Sequence, residues 1–389
     1  MARFTPVSAA SKLESLPVEI IQQIFLHCLE INLPRASLRL ANALSDPVLY
    51  TWMIRLAFSS TNASADRDFF TQDFLPWPLD FFALSPHQRR DLQSHLLFCR
   101  WCTLPLIRQC QRDYILHTIR RKCRPGVDFH FSPEDEATLL NFGEHYDEYF
   151  SKSSSSSSSN NSSSDNQDKP DLTLHGYPIP GSDSSPKDRK PHKITIHLQD
   201  GAITIRPPGE IYAFNLTSFP TPTISSPNTF RLPACGTAGP RGTLLARVPE
   251  KLLRPPWTPA KFEFLQLLAK DAYIDRTPSH TRTRRVLRQT IRDRDPATFQ
   301  RLLRMSVRVP WYDFPVPWPV GGNLFYAALK YAPPPCGEDD DVFVKTLYDE
   351  RWRDIPPDDA QLMFYLSERL CEPPSRQRAR EEASRRSLG

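Results

Sequence analysis

The sequence predicts a mainly α-helical protein with a small antiparallel β-hairpin or sheet, and three observations carry that expectation. Apolar residues recur at spacings of three and four, as in Ile20, Ile21, Ile24, Phe25, Cys28 and Leu29. A capping residue followed by proline, a helix start signal, returns at Asp46-Pro47, Ser85-Pro86, Ser132-Pro133, Thr258-Pro259, Thr277-Pro278 and Asp295-Pro296. The apolar period drops to two at residues 193–198 (KITIHL) and 202–206 (AITIR), with Asp200-Gly201 between them as a two-residue hairpin turn.

Residues 11–58 read as a module of three short helices. In the first, Pro17 suits the opening helical position, where its missing N–H costs nothing, and Glu19 favours the dipole of the first turn. The second follows Asn32 and Pro34 and aligns Leu33, Ser37, Leu40, Ala41 and Leu44; the third starts at Asp46-Pro47 and carries Val48, Leu49, Trp52, Met53 and Leu56. Residues 66–150 form a helical region, with helices at 88–102 and 106–122, the latter placing Leu106, Ile107, Cys110, Tyr114 and Ile119 inward. That region leads to a candidate third strand at 127–131 (VDFHF), because a lone hairpin is marginal in water.

Residues 151–191 hold seven consecutive serines at 153–159 and few apolar side chains, so a disordered insertion is expected: too little surface can be buried there to offset chain entropy. The hairpin region then spans 192–216, a proline-rich linker 217–256, a C-terminal helical domain 257–372 and a disordered tail 373–389. Helices in the C-terminal domain are expected at 260–269, 285–292, 297–305, 323–331, 341–350 and 360–370. Two helix pairs within it have loosely similar text about 37 and 43 residues apart and resemble degenerate ankyrin-type hairpins, although no Thr-Pro-Leu-His motif is present.

Composition bounds function. The chain has 389 residues, and 49 Lys+Arg against 44 Asp+Glu is too slight an excess over this length to imply a nucleic-acid partner. No apolar run reaches the roughly 18 residues that cross a bilayer, and MARFTPVSAASKLESL lacks the apolar core of a signal peptide. A cytoplasmic or nuclear location, no membrane contact and eight reduced cysteines are therefore expected.

The string Leu16-Pro17-Val18-Glu19-Ile20-Ile21-Gln22-Gln23-Ile24-Phe25, followed by two short helices ending near Phe58, resembles an F-box. Asn32-Leu33-Pro34-Arg35-Ala36-Ser37 and Leu44-Ser45-Asp46 are similar to F-box-like proteins of filamentous fungi, which often carry long polar insertions; the usual Val-Cys-x-x-Trp text is absent. The resemblance implies a helical trio docking on the Skp adaptor of a Skp-cullin-F-box ubiquitin ligase, with Leu16, Pro17, Glu19, Ile20, Ile24 and Phe25 at the contact. Physical chemistry points the same way, since forty residues of helix cannot hide so many large apolar groups among themselves. The alternative is that these groups pack on residues 85–123 of the same chain.

Other constellations carry less. Cys99-x-x-Cys102, with Cys110, Cys123, His95 and His117 nearby, lies in helical text and lacks a second ligand pair, so buried thiols are expected and no metal or cofactor. No nucleophile elbow, phosphate loop or HExxH is present, and catalysis by this chain is not expected. Between Arg276 and Arg308 ten arginines face only Asp293 and Asp295. Arg282, Arg284, Arg285 and Arg288 could therefore grip an acidic or phosphorylated target, or form a solvated face. In PWYDFPVPWPV, Trp311 and Trp318 could anchor that target or simply cover neighbouring helices. The expected function is a substrate receptor binding adaptor, cullin complex and a target protein. An interaction scaffold without ligase recruitment is the alternative, and a nucleic-acid binder using the arginines ranks below both.

Overall fold

A computed structural model describes residues 11–61, 67–156, 172–179, 190–198, 201–206, 228–229, 247–269, 272–275, 277, 279–309, 315–332 and 341–370. The chain forms two compact units, Met1–Thr237 and Ala238–Gly389. Among the described residues there are thirteen α-helices, one five-stranded antiparallel sheet and one two-stranded sheet, so the protein is mainly α with a small sheet, as the sequence predicts.

The first unit opens with α1 (Val18–Cys28), α2 (Leu38–Ala43) and α3 (Pro47–Phe58). Pro17 caps α1 rather than opening it, and the second predicted helix is split. A 3-10 turn, Leu33–Arg35, precedes an extended Ser37 whose hydroxyl accepts from the Leu40 N–H at 3.2 Å and restarts the helix. Asp46 caps α3 at the Val48 N–H (2.9 Å). α4 (Pro86–Phe98) begins with a reciprocal box, the Ser85 hydroxyl accepting from the Gln88 N–H and the Gln88 side chain accepting from the Ser85 N–H. The predicted helix 88–102 ends earlier, because Cys99 turns extended and the Cys102 N–H donates to the Cys99 carbonyl at 3.3 Å. The CxxC pair thus lies on the turn into α5 (Leu104–Lys122), not within a helix.

The sheet runs β1 (Phe129–Phe131), β2 (Leu172–Pro178), β3 (His192–His197), β4 (Ala202–Arg206) and β5 (Asn228–Thr229) in sequence order, all antiparallel, with α6 (Pro133–Asn141) and α7 (Tyr146–Ser156) between β1 and β2. This corrects the expected insertion: α7 extends into residues 151–156 and β2 lies wholly inside 151–191, while 157–171 and 180–189 fall outside the described residues. Leu172 and Leu174 alternate with Thr173 and His175, so β2 has one apolar face, and it is that face rather than the serine average that decides its pairing.

Cross-strand rows Leu172–Ile196–Ile203 and Leu174–Ile194–Ile205 build that face, on which Ile115 and Ile119 of α5, Leu139 of α6, Phe142 and Tyr146 pack. The third row is Phe131–Gly176–His192, and a Cβ on Gly176 would come within 2.9 Å of the Phe129 ring, so glycine there lets the rings lie over the strand. His197 pairs with Ala202, the Gly201 N–H donates to the Leu198 carbonyl at 3.3 Å, and Gly201 (φ 62°) leads into β4, while residue 200 of the expected turn lies outside the described residues.

The second unit contains α8 (Pro259–Ala269), α9 (Thr281–Arg292), α10 (Pro296–Leu303), the paired strands β6 (Ser306–Val307) and β7 (Val316–Pro317), α11 (Gly322–Tyr331), α12 (Val342–Arg351) and α13 (Ala360–Leu370). α9 does not start at Thr277-Pro278. The Asp275 carboxylate, further upstream, accepts from the N–H groups of Arg282 (2.8 Å) and Thr283 (3.0 Å), and the chain enters the helix through His280 at φ 48°. α9 packs on α10 and α11, α10 on α12, and α11 on α12 and α13, so two helical hairpins stack. No helix among the described residues is long and apolar enough to cross a membrane.

Two outcomes follow from the first unit. Leu174→Ala should lower stability by about 2–5 kcal/mol, the usual cost of emptying a packed leucine site, whereas a β2 that contributes little would show no change in a urea titration. His117 is buried, its Nε2–H donating to the Phe69 carbonyl (2.8 Å) and its ring lying among Phe69, Phe70 and Phe74. Burial pushes its pKa below the ordinary 6.5, more than the Phe69 carbonyl raises it, and Arg121, Arg55 and Arg120 act in the direction of burial. The unfolded chain then takes up the proton first, so the histidine's contribution is complete above pH 6.5 and lost as pH falls below it. The unfolding midpoint should drop more steeply between pH 7 and 5 in the native protein than in His117→Gln; parallel curves would refute the assignment.

Candidate functional site

At 100° per residue, α1 carries two adjacent apolar stripes. Ile21 and Phe25 form the inner one and are buried. Pro17, Ile20, Ile24 and Cys28 form the other; Ile24 is half-buried and the rest are exposed, Ile20 by 40%. The helix is held in this rotation by the Gln22 side-chain amide, which donates to the Ala43 carbonyl at 3.0 Å. Nearby, the Glu14 carboxyl lies below the usual carboxylate range because the Ser37 hydroxyl and the Ser11 N–H both donate to it, tying the leading turn to the start of α2.

The exposed stripe continues onto a residue that the sequence pattern does not single out. His27 meets the Trp77 ring edge-on, with centroids 5.0 Å apart, and Trp77 is 67% exposed. Val18, Val48 and Leu38 are exposed too, Leu38 by 85%. The six residues named from the F-box resemblance therefore divide: Pro17, Glu19 and Ile20 face outward, Leu16 and Ile24 are half-buried, and Phe25 is in the core. Phe25 is withdrawn as a contact residue, since Ile21 and Phe25 share the inner stripe. Ile21 and Phe25 are covered by the chain itself, whereas Pro17 and Ile20 are not, which goes against the alternative that all these groups pack on residues 85–123.

The arginine segment is largely committed to the second unit itself. Arg282 is buried, donating to the carbonyls of Ile274 (2.5 Å) and Val248 (2.9 Å) and to Glu250 (3.0 Å). Arg254 and Arg285 pair with the same Glu250. Burial would raise the Glu250 pKa, but its arginines outweigh that and hold the carboxyl low. Arg282 moves downward as well, because burial and Arg247 outweigh Glu250 and Asp275; it stays charged because an arginine begins so far above neutrality. Arg294 pairs with Asp341 (2.9 Å), the carboxylate that also caps α12, and Arg304 with Glu350 (2.6 Å). Arg292 and Arg301 lie over the rings of Tyr331 and Phe262.

Arg282 and Trp318 are accordingly corrected from target contacts to interior residues. Trp318 is fully buried, its indole N–H donating to the Thr283 carbonyl at 3.3 Å, and the Arg351 side chain donates to the Trp318 carbonyl. Arg284 is half-buried against Gly321, Arg285 is exposed but paired with Glu250, and Arg288 is half-buried. Trp311 and Arg276 lie outside the described residues.

Cys99 and Cys102 are buried at the α4–α5 turn, and among the described residues no group of three or more His, Cys, Asp or Glu side chains could hold a metal ion. Burial pushes the thiols of Cys110 and Cys123 up to about 12, far from the thiolate that a ligand or nucleophile requires. Compared with protein-family models, with curated proteins and with solved structures, the chain matches none.

Arg282→Ala should cost about 2 kcal/mol or more, because the buried Ile274 and Val248 carbonyls lose their donor while Glu250 keeps Arg254 and Arg285, while the half-buried Arg288 should tolerate Ala within about 0.5 kcal/mol. Equal midpoints for the two variants in thermal unfolding would show that the Glu250 cluster is not a stabilising clamp.

Proposed function

We propose that this chain is an F-box-type substrate receptor, recruiting a target protein to a Skp-cullin-F-box ubiquitin ligase through α1 to α3. The observation that carries this reading is the exposed stripe Pro17, Ile20, Ile24 and Cys28, running beside a second stripe already fixed in the core. A surface helix satisfied within its own chain needs only one apolar face. Covering each large apolar side chain with a partner groove would contribute up to about 1.5–3 kcal/mol, less for those already half-covered. The chain would then act by proximity, holding a target near a transferring enzyme, with the bond chemistry belonging to its partners. The nucleic-acid alternative is weakened by the pairing of Arg282, Arg285, Arg294 and Arg304 with carboxylates of the same unit.

Calorimetric titration of the full chain with a Skp-type adaptor tests this. Ile20→Asp should abolish binding by placing an unpaired charge in the contact, yet leave the unfolding midpoint nearly unchanged because Ile20 already meets solvent. A folded native protein that binds no adaptor would leave the scaffold reading in its place.

A further inference from the structure

Behind the C-terminal end of α5, against β1, lies a half-open cleft of about 670 Å³ that no part of the adaptor argument uses. Its volume falls in the range of about 300–1,000 Å³ typical of small-ligand sites. Its apolar lining includes Val127 and Ile205 over the buried rings of Phe69 and Phe129. Among the described residues its charged lining is Arg121, Lys122 and Arg124 with one carboxylate, Asp128.

That carboxylate is already engaged. The Arg124 guanidinium donates to both its oxygens (3.0 Å each), which holds the Asp128 pKa below its usual range. The remaining charge belongs to Arg121 and Lys122. Arg121 is oriented by donating to the Asp68 carbonyl at 2.9 Å, a bond that takes one of five guanidinium N–H groups. The Lys122 ammonium lies 5.9 Å above the Phe69 ring. Basic residues at a helix C-terminus ordinarily offset the dipole, but that end carries only about half a negative charge, and Arg120, Arg121 and Lys122 together exceed it.

We infer that the cleft binds an anion carried on a flat apolar body, with an aryl phosphate as the matching chemical class. The phosphoryl dianion balances the two positive charges of Arg121 and Lys122, and the ring lies against the exposed Val127 and the half-buried Ile205. This site does not depend on adaptor docking. Two sources share the chemistry, a free aryl phosphate and a phosphorylated tyrosine side chain of another polypeptide.

Calorimetry of the full chain with phenyl phosphate, inorganic phosphate and a phosphotyrosine peptide tests the inference. Phenyl phosphate should bind about tenfold or more tightly than inorganic phosphate, since burying one ring face amounts to at least 1.4 kcal/mol, and its affinity should fall as salt rises. Arg121→Gln and Lys122→Gln should each weaken it about tenfold, the scale of one charge-assisted bond. Val127→Glu gives a check that leaves the fold alone: Val127 is 58% exposed, so the midpoint should hold while the added carboxylate repels the ligand. A peptide binding more tightly than phenyl phosphate would identify a phosphorylated polypeptide as the source, and equal affinity a free small molecule. No binding of phenyl phosphate at millimolar concentration by folded protein, or binding indifferent to all three substitutions, would overturn the assignment.

Discussion

The first unit depends on the burial of α5 over more than half its circumference. Ile107, Cys110, Tyr114 and His117 turn to the helical side, where the Cys110 thiol donates to the Thr51 carbonyl (3.8 Å), Asp113 pairs with Arg55 (2.7 Å) and the Tyr114 hydroxyl donates to the Ser60 carbonyl. Ile115 and Ile119 turn the other way and join the sheet core with Leu174, Ile194, Ile196 and Ile203. One helix therefore closes two cores. Buried polar groups are usually hydrogen-bonded, and Asp113, Tyr114 and His117 each bond to a residue far away in the sequence.

Much of the helical architecture is legible because its start signals are local. At Asp46, Ser85, Ser132 and Asp295 the capping side chain reaches an N–H two or three residues ahead, so sequence and structure report the same bond. Legibility fails where the partner is further off or competes. Thr277-Pro278 carries the same text, but Asp275 satisfies the first turn of α9 and moves its start to Thr281. Ser37 looks like an inward helical position, yet its hydroxyl caps a new helix. β2 was hidden by its neighbours: a window averaged over serines outweighs four alternating residues whose value appears only beside Ile194 and Ile196.

The candidate site was legible in its location and not in its orientation. Spacing alone places Ile20, Ile21, Ile24 and Phe25 on one broad face, and only the packing of α1 divides that face into buried and exposed halves. Trp77 joins it through His27, a contact across fifty residues that no local pattern encodes. The arginine segment illustrates the converse. Ten cations in thirty-three residues suggest a binding surface, but their carboxylates lie elsewhere in the chain, Glu250 before the segment and Asp341 and Glu350 after it. Charge density in sequence measures only one partner of each pair.

The placement of the two proposed surfaces on the first unit bears on whether one could regulate the other. Energetic coupling between sites needs an element with two arrangements that both ligands bias. The structure linking the α1 stripe to the cleft is α5, joined to α3 through Arg55–Asp113 and through Cys110 and ending at Arg121 and Lys122. A helix gripped on opposite sides by a packed sheet core and by bonded polar groups cannot slide without opening both. α5 is thus a fixed strut rather than a switch, and adaptor docking and anion binding should be thermodynamically independent. Any control of binding at either proposed surface would then act on the ligand itself rather than through a signal passed along α5.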